Sequence, residues 1–176
     1  MKRIASVLLV LTCLVFAGSL AAYARKGPGT PYSGSKEYER MKGVVGAWEG
    51  TSNMGKEGQP IRVEYRLTAG GSAIVETLFP GTPEEMISVY YDSNGKLSMT
   101  HYCMLRNQPL MKLLKAGADR LDFTFSGGSN IDKKKDAHMH ALTILFVDKD
   151  HIVQNWSYFE GGKEKSVTRL DLSRVH

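Results

Sequence analysis

The chain has 176 residues, a net charge of +5, 42% hydrophobic and 23% charged residues, and two cysteines. That length carries enough apolar material for one ordinary domain core and no more. Lysines scattered among acids, without a basic patch interleaved with aromatics, exclude a dedicated nucleic-acid surface.

The opening "MKRIASVLLVLTCLVFAGSLAAYA" reads as a secretory leader. Lys2 and Arg3 precede an apolar run from Ile4 to about Leu20, and Ala22-Tyr23-Ala24 fits the small-x-small cleavage rule. Cleavage after Ala24 predicts an exported protein, periplasmic or secreted, with no stable membrane span after processing. It removes Lys2 and Arg3, so that +5 becomes +3. It also removes Cys13. Cys103 is then alone, no intramolecular disulfide is possible, and the fold must stand on its core. Residues 25–34, rich in Gly and Pro, read as a flexible linker. Residues 35–176 read as a single domain.

Ser35 is placed to cap a short helix over "KEYERMKGVV", with Tyr38, Met41 and Val45 on one face. Strands follow. "IRVEYRLT" alternates without error, putting Ile61, Val63, Tyr65 and Leu67 on one face. "SAIVETLF" and "MISVYYD" continue the pattern, and Asn94-Gly95 marks a hairpin turn. "KLSMTHYCML" and "LMKLLKA" come next. "RLDFTF" places Leu121, Phe123 and Phe125 together. "HMHALTILFV" and "HIVQNWSYFE" are joined by a short turn, and Gly161-Gly162 turns into "KEKSVTRLDL". About ten sequential strands, with no helix long enough for a parallel crossover, predict an all-β fold: an antiparallel up-and-down barrel with a short N-terminal helix. "SGGSNIDKKKD", 126–136, is a solvated loop or a flap at the barrel mouth.

"GVVGAWEG", 43–50, carries a family likeness. Gly46-Ala47-Trp48 at the start of the first strand, after a short helix, resembles the G-x-W signature of the calycin barrels: lipocalins, fatty-acid-binding proteins and nitrobindin-like haem barrels. Gly50 extends it to the G-x-W-x-G of the nitrobindin-like form. "THYC" and "NQP" also look like segments of uncharacterised exported bacterial proteins of this shape. The resemblance implies that Trp48 plugs the closed end against a basic side chain of the last strand, Arg169 or Arg174. It also implies haem on a histidine near the C-terminal strand, and "KEKSVTRLDL" has none, which argues against haem.

Parity predicts the interior. Leu97, Met99, His101, Cys103 and Leu105 share the more apolar face of their strand and should point inward. His138 and His140 are in phase with Leu142, Ile144 and Phe146, and Gln154, Trp156 and Tyr158 share a face. One reading is a small-molecule pocket lined by Tyr65, Met99, His101, Cys103, Phe123, Gln154, Trp156 and Tyr158. A second is a zinc-type site of His101, His138 and His140, with an open position for an activated water. A third is a filled, structural or partner-binding barrel whose polar groups satisfy each other or buried water. A thiol enzyme would need a base near Cys103. His101, two residues along the same strand and roughly 6.6 Å away, does not supply one.

Overall fold

A computed structural model of the chain describes residues 31–176. The expected secretory leader, 1–24, and the first part of the expected linker lie outside the described residues. Ten strands are found among the described residues: β1 (Gly46–Ser52), β2 (Gln59–Thr68), β3 (Ala73–Leu78), β4 (Met86–Ser93), β5 (Lys96–Tyr102), β6 (Gln108–Ala116), β7 (Arg120–Ser129), β8 (His138–Phe146), β9 (His151–Glu160) and β10 (Lys163–Arg174). Each pairs antiparallel with its chain neighbour, and β1 also pairs with β10, so the sheet closes into an up-and-down barrel. Closure leaves no sheet edge to pair with another chain. Among the described residues no helix is long and apolar enough to cross a membrane.

The alternation in "IRVEYRLT" is the burial pattern of β2. Ile61, Val63 and Tyr65 are buried, while Leu67, near the strand end, is exposed. Asn94 and Gly95 take the positive φ angles of a two-residue hairpin turn, 52° and 73°.

Helix α1 (Lys36–Lys42) closes one end. The Ser35 side chain caps it by accepting from the Tyr38 amide at 3.1 Å. The helix ends at Lys42, three residues before the expected end at Val45, with Gly43 as its C-cap, and Val44 rather than Val45 is the valine buried in the core. Tyr38 and Met41 are fully buried, and Arg40 donates to the carbonyls of Gly117 and Ala118 in the turn before β7. The helix is thus tied both to the core and to the rim it covers.

Trp48 is fully buried at this closed end and donates from Nε1 to the Val44 carbonyl at 2.8 Å. The basic partner over its ring is Arg174, whose guanidinium lies 4.3 Å from the ring centroid. Trp48 and Arg174 are register partners across β1 and β10. Arg169 is not the partner. It is half exposed and binds Asp171 on the surface at 2.8 Å. The reason is parity: Leu170 and Leu172 point into the core, which turns Arg169 and Asp171 outward. Gly50 of the G-x-W-x-G stretch is sterically required, and Gly46 is favoured by its φ of +135°. A Cβ at Gly50 would sit 1.8 Å from the Asp171 carbonyl oxygen, and one at Gly46 would sit 3.0 Å from Arg174 Nη1.

Candidate functional site

The interior polar groups form a row rather than a scatter. Tyr65 on β2 is the register partner of Glu76 on β3, Glu76 of Ser88 on β4, and Ser88 of His101 on β5. Facing register positions on adjacent strands share one side of the sheet, so four strands deliver four polar side chains to one band of the lumen. All four are buried, at 3% exposure or less.

Glu76 is the hub. Its Oε1 accepts from the Tyr65 hydroxyl at 2.7 Å and from Gln154 Nε2 at 2.5 Å, and its Oε2 accepts from the Tyr90 hydroxyl at 2.9 Å. Gln154 Nε2 also donates to the Tyr65 hydroxyl, and Trp156 Nε1 donates to Gln154 Oε1 at 2.6 Å. Burial pushes the Glu76 carboxyl above the usual carboxylate range, and the surrounding donors, Gln154 and Tyr65 foremost and then Ser88 and Tyr90, hold that rise down. Burial likewise pushes Tyr65 and Tyr90 well above the usual phenol range, reinforced by the Glu76 charge. Both tyrosines therefore remain donors.

Glu76 is absent from the site residues expected from the sequence. The signal was available: in "SAIVETLF" it is in phase with Ile74 and Leu78, which are fully or almost fully buried. A lone carboxylate on the apolar face of a strand is expensive unless several donors surround it.

His101 ends the row. Its ring lies 4.8 Å from the Trp156 ring, centroid to centroid, and burial lowers its pKa to about 4, so the imidazole is neutral. Nδ1 is 3.1 Å from Ser88 Oγ. Nε2 is buried and has no hydrogen-bond partner among the described residues. Either tautomer satisfies the Ser88–His101 bond. With the ring proton on Nδ1, donating to Ser88 Oγ, a lone pair is left on Nε2.

The His101 ring lines a small, partly open hollow of about 20 Å³, room for about one water molecule. His101 and Trp156 line it together with Met54, Met86, Met139 and Leu170. Above it the barrel opens into a mouth of about 550 Å³, which shares Met54, Met86 and Met139 with the small hollow and adds Cys103, Met104, Leu105 and Tyr158. Below, the lumen holds the buried core cluster that includes Met99, Phe123 and Leu142. Of the eight residues expected to line a pocket, His101 and Trp156 line the small hollow, and Cys103 and Tyr158 line the mouth. Tyr65 and Gln154 serve the Glu76 network, and Met99 and Phe123 belong to the filled core.

"THYCML" is not one strand. β5 ends at Tyr102, and Cys103 to Asn107 form a tight turn in which the Arg106 amide donates to the Cys103 carbonyl at 2.9 Å. The turn lifts Cys103 to the rim, partly buried, with burial raising its thiol pKa. Leu105, expected inside, is exposed.

The expected three-histidine arrangement does not form. His101 packs on Trp156, while His138 Nε2 lies 3.0 Å from His140 Nδ1 in a separate aromatic cluster with Phe125 and Phe159. The cause is a β-bulge: the register between β8 and β9 shifts between Met139 and Ala141, so His140 is the extra residue. Beyond the bulge, parity reverses. Met139, opposite Tyr158, faces the lumen, and His138, opposite Phe159, stands on the other side of that pair. Among the described residues no group of three or more His, Cys, Asp or Glu side chains is arranged to hold a metal ion.

The loop 130–137 covers this histidine pair rather than the mouth. Asp132 organises it by accepting from the Lys134 amide at 3.0 Å, the Asn107 side chain donates to the Ala137 carbonyl at 2.8 Å, and no residue of the loop lines the mouth.

No protein-family model matches the chain, and no curated protein is significantly similar to it in sequence.

Proposed function

We propose that this protein is an exported, calycin-like barrel that holds a small apolar or amphipathic molecule at its mouth. The observation that carries the reading is the contrast along the barrel axis. The middle is filled by Met99, Phe123 and Leu142, and the closed end carries a hollow of about 350 Å³ bordered by Arg40, Asp148, Lys149, Asp150 and Arg174, whereas the other end opens into a larger hollow of about 550 Å³ rich in methionine. That volume lies in the range of small-molecule sites, and its walls combine four methionines, Leu105, Val167 and Tyr158 with the polar side chains of Asn53, Ser166 and Thr168. Methionine suits such a surface, because an unbranched thioether repacks around ligands of different shape. The G-x-W-x-G stretch and its Arg174 partner support the calycin likeness, and the opening 24 residues support export.

The test is binding of an environment-sensitive apolar dye, with native mass spectrometry of protein purified from its own cell to detect a retained molecule. Met54→Trp, at the rim, should fill the mouth and abolish dye binding without lowering thermal stability. Dye affinity unchanged in Met54→Trp, or no dye and no retained molecule in the parent, would leave a filled structural barrel as the better account. N-terminal sequencing of the exported chain should begin at Arg25.

A further inference from the structure

We propose that the small hollow beneath the mouth is a site for one soft monovalent metal ion, Cu(I) or Ag(I), bound by His101 Nε2 and the thioethers of Met54, Met86 and Met139. This goes beyond the binding of an apolar molecule at the mouth and does not depend on it.

The chemistry of the lining selects the ion. His101 is 1% exposed, and its Nε2 is buried without a partner among the described residues. The three methionines lining the same hollow arrive from separate segments: the loop after β1, the first residue of β4, and the residue beside the β8 bulge. A water fits by size, but His101 and Thr168 are the polar side chains of the lining besides the Trp156 indole, whose N–H is given to Gln154, and buried waters typically make about three hydrogen bonds. One imidazole nitrogen and several thioethers form a soft, uncharged donor set, which suits Cu(I) and its redox-silent analogue Ag(I). No carboxylate lines the hollow, so calcium and magnesium have no hard ligands there, and zinc lacks the thiolates and histidines it prefers.

The surroundings complete the arrangement. A metal-bound histidine normally donates its other ring N–H to a fixed acceptor, which sets the tautomer. His101 Nδ1 has one in Ser88 Oγ at 3.1 Å, and Ser88 in turn stands beside Glu76. Met104 and Cys103, at the mouth, offer further soft donors along the way in.

The experiment is titration of the full chain with Ag(I), followed by native mass spectrometry and by NMR of 13C-methyl methionine. One ion per chain should bind. The Met54, Met86 and Met139 methyl signals should move, and those of the core residues Met41, Met99 and Met111 should not. Met86→Leu and Met139→Leu keep the volume and should each weaken Ag(I) by about tenfold or more, with thermal melts close to the parent. Cys103→Ser should retain the ion. The proposal is overturned by an absence of binding, by affinity unchanged in the Met86→Leu, Met139→Leu double variant, or by binding lost in Cys103→Ser while the methionine signals stay still. Dye binding on the same samples separates the two readings: dye without Ag(I) removes only the metal site, and Ag(I) without dye removes only the apolar ligand.

Discussion

Ser88 on β4 and His101 on β5 are register partners, and the serine hydroxyl lies 3.1 Å from the histidine Nδ1. The contact fixes the imidazole from one side while Trp156 covers its face. A histidine held this way is difficult to protonate, and its pKa falls from 6.5 to about 4 because burial disfavours the cation.

The first prediction is a pH dependence of stability. Between the unfolded and folded pKa values the unfolded chain binds the proton and the folded chain does not. The contribution of His101 is therefore complete above about pH 6.5 and is lost as pH falls towards 4. Between pH 7 and pH 5 the loss should be about 2 kcal/mol. His140, lowered mainly by burial and then by His138 and Lys133, acts in the same direction. Glu76 acts in the opposite one: its pKa is raised, so its contribution is present in acid and declines as pH rises through the folded value. Denaturant melts at the two pH values isolate the term. The acid loss should shrink in His101→Leu, and an identical loss in parent and variant would refute the assignment.

Glu76 gives the second prediction. Glu76→Gln has nearly the same shape but replaces one acceptor oxygen by an NH₂ that must face donors such as the Tyr90 hydroxyl. It should cost about 1–3 kcal/mol. Glu76→Leu removes the common acceptor of Tyr65, Tyr90 and Gln154. It should cost roughly 3–5 kcal/mol, because several buried donors lose their partner at once. Equal stability of the two variants would mean that the hydrogen bonds contribute little beyond packing.

The closed end gives the third. Trp48→Ala should cost roughly 3–5 kcal/mol, almost all from the lost core volume. Arg174 donates to the carbonyls of Val45 at 2.9 Å and Gly43 at 2.7 Å, as well as covering the indole. Arg174→Lys retains the charge but not the fork, and should lose about 1–2 kcal/mol. Gly46→Ala combines a φ of +135° with a Cβ pressed against Arg174, and should lose more than about 1 kcal/mol. Thermal melts of the three variants test the plug directly. A Gly46→Ala melt matching the parent would show that Arg174 moves aside freely.

These sites also show what the sequence makes legible. Strand alternation is a local property, so "IRVEYRLT" and the inward His101 follow from parity alone, while the strand count also rests on turn signals such as Asn94-Gly95 and the antiparallel topology on the lack of a crossover helix. The bulge at His140 is not local. One extra residue in β8 hands the lumen to Met139, and nothing in "HMHALTILF" marks where β9 slips. The turn at Cys103–Asn107 interrupts a stretch with a strand-like pattern for a similar reason: the partner strand, not the residues, decides where pairing ends. The choice of Arg174 over Arg169 needed only the parity of Leu170 and Leu172. Gln154 reaches Glu76, and Met54, Met86 and Met139 reach one another, from distant segments, so only closure of the barrel shows each group together.

Cys103 supplies the last prediction, because it stands where a mouth-bound molecule would shield it. It is partly buried on the wall of the mouth, and burial pushes its thiol pKa up. The thiolate is the reactive form, so alkylation at neutral pH should be slower than for an unstructured cysteine and should accelerate as pH rises beyond the ordinary thiol range. An apolar dye in the mouth should slow it further by covering the sulfur, and Met54→Trp should do the same without dye. Quenched iodoacetamide labelling with peptide mapping follows Cys103 separately from Cys13. A rate equal to that of a free thiol, indifferent to dye and to Met54→Trp, would place Cys103 outside the binding surface and remove the mouth as the ligand site.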